Sequence, residues 1–103
     1  SVVRPVFSYY GKLSFSNHVI EALVHYAVRD LRKIHISHIS SVKSTSQMNG
    51  IILSLDVTVR QGTPQEIKKL IHLMRDKIQR EIEHTTGMAL DTIKVNIITD
   101  VTG

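Results

Sequence analysis

Met48-Asn49-Gly50-Ile51-Ile52-Leu53-Ser54-Leu55-Asp56-Val57-Thr58-Val59-Arg60-Gln61-Gly62-Thr63-Pro64-Gln65-Glu66 reads as a turn, a strand and a helix start in succession. Asn49-Gly50 is the pair that tolerates positive φ in a two-residue type I′ hairpin. A turn there would set Met48 against Ile51, Ser46 against Leu53, Ser44 against Leu55 and Val42 against Val57. Leu53, Leu55, Val57 and Val59 are then expected to point inward, with Ser54, Asp56, Thr58 and Arg60 on the opposite face. Thr63 suits an N-cap, Pro64 the first helical position, and Glu66 the acid of a capping box.

Downstream, Ile67, Leu70, Ile71, Met74, Ile78 and Ile82 form one apolar stripe, and Gly87 stands where a left-handed stop is expected after Thr86. The closing strand alternates Ile93, Val95, Ile97, Thr99 and Val101 with Lys94, Asn96, Ile98 and Asp100. Upstream, residues 34–47 are rich in β-branched and hydroxyl side chains and form the other arm of the hairpin. Before them a helix is expected over 17–33, capped by Ser16, with Val19, Ile20, Leu23, Val24, Ala27 and Leu31 on its apolar face. Asp30 falls at the edge of that stripe without a local reason. Lys12–Phe15 reads as a short strand, and residues 1–10, with Pro5, as a lead-in segment or edge strand.

The order strand-helix-strand-strand-helix-strand buries one stripe per helix and one face per strand most simply as an α+β two-layer sandwich, for which a ferredoxin-like topology is expected. Residues 11–103 make a single domain. A chain of 103 residues has room for one core, large enough to stand without a disulfide or metal staple. No Cys is present, which removes thiolate metal sites and thiol nucleophiles. Apolar runs never exceed three residues, so membrane contact is expected to be peripheral. Net charge +4 permits anionic partners without naming one.

The search for reactive groups yields little. His18 and His25 sit two turns apart on a polar helix face, and His35 and His38 differ by an odd number, which on a regular strand sends them to opposite sides. Asp56 and Asp100 are the acids expected within strands. No nucleophile elbow, dinucleotide fingerprint or phosphate-cradling loop occurs. No catalytic residue, cofactor or metal is therefore expected. RNA-recognition sheets share this element order, yet Phe7, Tyr9, Tyr10, Phe15 and Tyr26 all fall in the first quarter of the chain.

One surface feature stands out. Lys69, Leu73, Lys77, Arg80 and His84 form a column beside the apolar stripe of the second helix, a candidate partner surface for a protein helix or an anionic membrane surface. Asp76 and Arg80 are spaced to pair.

Gly11-Lys12-Leu13-Ser14-Phe15-Ser16 leading into Val19-Ile20 and Ala27, the strand Leu53–Val59 ending at Gln61-Gly62, and Thr86-Gly87 followed by Ile93-Lys94-Val95-Asn96-Ile97 together resemble the alkaline shock protein family of bacterial envelope stress proteins. The resemblance spans about residues 11–101. It departs at Lys33-Ile34-His35, where members carry Gly-Val, so a local difference in that turn is expected. The resemblance implies a non-enzymatic cytoplasmic protein of mainly Gram-positive bacteria, acting in cell-envelope stress or membrane-lipid homeostasis. It also implies self-association or binding to a membrane-anchor protein at the inner membrane face. It carries over no functional residue. The alternative is a basic nucleic-acid-binding domain; a small-molecule substrate is not expected.

Overall fold

A computed structural model describes residues 17–44 and 50–98. In chain order these form α1 (Asn17–Ala27), β1 (Ile34–Lys43), β2 (Gly50–Val59), α2 (Pro64–Thr86) and β3 (Ala89–Ile98). The three strands make one sheet in the order β1-β2-β3, with β2 antiparallel to β1 and parallel to β3. The helices lie side by side on one face, α1 over β1 and α2 over β3. This is the expected α+β two-layer sandwich. The strand expected at Lys12–Phe15, the Ser16 cap and the segment 1–10 fall outside the described residues.

Alternation along β2 places Ile51, Leu53, Leu55, Val57 and Val59 in the core, as the sequence requires. They share it with Ile20, Val24, Met74, Ile78 and Ile82 from the two helices. The hairpin register differs from expectation. Val42 lies opposite Ile52, Ser41 opposite Leu53, Ile39 opposite Leu55 and Ile36 opposite Val57. The Ser44 amide donates to the Gly50 carbonyl at 2.9 Å and Gly50 already belongs to β2, while the expected partners Ser46 and Met48 lie outside the described residues. The physical reason is burial. This register puts Ile34, Ile36 and Ile39 in the core, each worth about 1.5–3 kcal/mol. Pairing Val42 with Val57 would have run those isoleucines past the end of β2 to obtain a tighter turn. Val42, expected inside, is 60% exposed.

A bulge between Ile36 and His38 keeps Ile39 in phase with the core. It also brings His35, opposite Thr58, and His38, opposite Asp56, onto the same open face of the sheet. The odd spacing had predicted opposite faces.

α1 ends at Ala27, six residues before the expected stop at 33. Amides of Arg29, Leu31 and Ile34 bond carbonyls three residues back, so tight turns carry the chain into β1. These turns still bury Val28 and half-bury Leu31, which is why the apolar period outlasts the helix.

α2 has the ends its sequence specifies. The Thr63 hydroxyl accepts from the Glu66 amide at 3.2 Å, and the Glu66 carboxylate accepts from the Thr63 amide at 2.8 Å. At the far end Gly87 adopts φ 74°, and its amide bonds the Glu83 carbonyl at 2.9 Å. The buried Thr86 hydroxyl donates to the Ile82 carbonyl at 2.7 Å and accepts from the Met88 amide at 3.0 Å. The Glu83 carboxylate accepts from the Leu90 amide at 2.8 Å and fixes the start of β3.

The two ends of α2 can each be tested by substitution. Thr86→Val strands the buried Met88 amide and is expected to lower unfolding stability by about 1–3 kcal/mol in urea titration. Gly87→Ala meets no atom within 4 Å, so its expected loss of about 1–2 kcal/mol is a backbone cost alone. The start of the helix responds to acid. Hydrogen bonding from the Thr63 backbone, aided by Lys33, holds the Glu66 carboxyl below its ordinary value. Its stabilising contribution is therefore present above that ordinary value and disappears as pH falls through the lowered one. Glu66→Gln should be less stable than the wild type at neutral pH. The gap between their urea midpoints should narrow and close as the pH falls through that lowered value.

Candidate functional site

The crest of α2 faces away from the sheet, and its two flanks diverge in chemistry from the buried stripe between them. On the flank toward α1, successive helical turns place Lys69, Leu73, Lys77, Arg80 and His84 in the expected column. Lys77, Arg80 and His84 meet Ala27, Arg29 and Glu81 around a cleft of about 370 Å³ at the end of α1. Ala27 has no side chain beyond Cβ to fill it. Leu73 is 42% exposed on the same column, and Lys69 is exposed one turn further toward the helix start.

Two of the basic residues in this cleft, Arg29 and Lys77, are positioned by specific contacts. The Arg29 guanidinium lies 3.9 Å from the centre of the Tyr26 ring and donates to the Tyr26 carbonyl at 2.7 Å. Lys77 pairs with Asp30 across the helix boundary at 3.7 Å. That contact explains Asp30, which the pattern of the first helix left without a role. The expected Asp76–Arg80 pair does not form. The Glu81 carboxylate accepts from the Thr85 hydroxyl at 3.2 Å. Arg29, Lys77, Arg80 and His84 thus outnumber the acids beside them, an arrangement suited to a carboxylate or phosphate ligand. Arg29 was legible as a polar-face residue, but its place beside Arg80 depends on how the chain returns across the sheet.

The uncovered sheet face is polar at its centre. Asp56 lies between His38 on β1 and Asn96 on β3, and the Asn96 amide donates to the Asp56 carboxylate at 3.3 Å. The Ser37 hydroxyl donates to the Asp56 main-chain carbonyl at 3.4 Å. Asp100, considered with Asp56, lies outside the described residues. Among the described residues no three His, Asp or Glu side chains gather closely enough to hold a metal ion. No helix among them is long and apolar enough to cross a membrane.

No protein-family model matches the chain, and no curated protein does. Among solved structures the fold is similar to that of a doubly substituted MamM CTD. The TM-score is 0.57 at 9% identity, over 84% of this chain and 95% of that one. At that identity the likeness is one of fold.

Asp30→Asn removes the acid that Lys77 faces. Because the pair is partly solvated, stability should change by less than about 1 kcal/mol. Inorganic pyrophosphate, followed by the backbone amide shifts of residues 77–84, should bind the variant more tightly than the wild type.

Proposed function

We propose that this chain is a protein-interaction module that works by contact rather than by turnover, with the cleft between α1 and α2 as its docking surface. The observation that carries this reading is the convergence of Arg29, Lys77, Arg80 and His84 on one cleft, with exposed Leu73 alongside. A partner segment with acidic side chains and one apolar anchor matches that surface. The resemblance to alkaline shock proteins supports a setting in bacterial envelope stress or membrane-lipid homeostasis. In that setting the chain self-associates or binds a membrane-anchor protein near the inner membrane face.

Sedimentation equilibrium and partner capture from the source cells test this together. The expected outcome is a mass above the 11.6 kDa monomer, or a retained protein, in either case lost in the double variant Lys77→Glu/Arg80→Glu. A strict monomer that retains only a metabolite, unchanged by the double variant, would overturn it. The same cations favour a second reading, contact with nucleic-acid phosphates. It requires retention on DNA or RNA that falls steeply with salt and vanishes when Lys69, Lys77 and Arg80 are reversed.

A further inference from the structure

The other flank of α2 forms a second groove, separate from the cleft facing α1. Its floor is apolar, made by Ile67 and Ile71 of α2 with Ile97 of β3, and its rim carries Lys68, His72 and Arg75. The volume is about 330 Å³. Ile97 belongs to the core-facing side of β3 by register, yet it is 46% exposed. Among the described residues, Thr92–Ile98 pair along one edge with β2, leaving the other edge of β3 beside this groove. An apolar trough between a helix and a strand edge is the geometry in which an extended peptide adds a strand and drops alternate side chains into the trough.

Charge selects the occupant. No acid lines the groove, and Lys94 adds another cation on the open face of β3. A second copy docking edge to edge would bring Lys94 and the same cationic rim against themselves. Residues 1–16 of this chain contain Arg4 and Lys12 and no acid, so they complement the groove no better. We infer that the β3 edge and the α2 flank bind an extended segment of a partner protein in which apolar residues alternate with acidic ones. The apolar residues seat on Ile67, Ile71 and Ile97. The acidic ones project to the opposite face of the added strand, where they meet Lys94, while Lys68, His72 and Arg75 along the rim attract the strand as a whole.

The probe is a fluorescein-labelled octapeptide alternating isoleucine with glutamate, compared by anisotropy with its isoleucine-lysine counterpart. The wild-type chain is expected to bind the acidic peptide saturably and the basic one at least about tenfold more weakly. Lys68→Glu/Arg75→Glu lies on the solvated flank and is expected to keep the wild-type circular dichroism spectrum while losing about tenfold in affinity for the acidic peptide. Arg32→Glu/Lys43→Glu is the charge-matched control outside both surfaces and should bind as the wild type does. Slowed amide exchange within residues 92–98 on saturation places the peptide at the strand edge. Equal affinity for both peptides, affinity that survives the double reversal, no saturation up to about 1 mM, or a self-associated state that the peptide displaces would each overturn the inference. Because the variants leave Lys77 and Arg80 intact, failure here is separable from failure of the α1–α2 docking reading.

Discussion

Leu53, Leu55 and Val57, all essentially without solvent exposure, make one face of the central strand, and Met74, Ile78 and Ile82 bring the longest helix into the same core. Every other element is arranged so that this layer stays dry. β1 takes the register that returns Ile34, Ile36 and Ile39 to the same side, at the cost of a longer connection and a bulge. β3 does the same through an irregularity at Asp91, which restores Ile93 and Val95 to the core face. The Ser44 hydroxyl donates to the Asp91 carboxylate, so the end of β1 is tied to that irregularity across the start of β2. Polar groups displaced by the phase shift are thereby given partners, as burial demands.

This dependence on one buried layer explains what the sequence disclosed and what it withheld. Both ends of α2 were legible because capping is local: Thr63, Pro64 and Glu66 sit within one turn of one another, and Thr86-Gly87 closes the helix by itself. The inward face of β2 was legible because a period of two survives any register. The pairing of β1 was not, since it is settled by which isoleucines reach the core. Asn49-Gly50 offers only a preference for a turn, weaker than the burial of three large side chains. The end of α1 escaped for a related reason, because turns with three-residue spacing present Val28 and Leu31 to the same interior as a continuing helix would.

The surface shows the same division. The column from Lys69 to His84 follows from helical geometry alone, whereas Arg29 joins it through the packing of α1 beside α2. The groove on the opposite flank needed Ile97, far along the chain, to be recognised beside Ile67 and Ile71. The segments that carry the family resemblance, by contrast, have structural duties wherever they are described. Leu53–Val59 supplies the core face, and Thr86-Gly87 turns the chain from α2 into β3. They serve the fold, which leaves recognition to residues on its exterior.

The distribution of charge along α2 bears on that exterior. A helix is stabilised by acids near its start and cations near its end, because the macrodipole is positive at the first turn and negative at the last. Glu66 and His84 obey this. Lys68 and Lys69 stand in the second turn, beyond the reach of the first-turn dipole, and gain nothing from it. Neither takes part in an ion pair within 4 Å among the described residues. Helix stability thus gives no reason for cations at these positions. One looks toward the groove beside β3 and the other toward the column beside α1, so each flank carries a cation that no acid of the described residues pairs. An anionic partner would supply that missing counter-charge on either flank, and no acid of the described residues competes with it for these lysines.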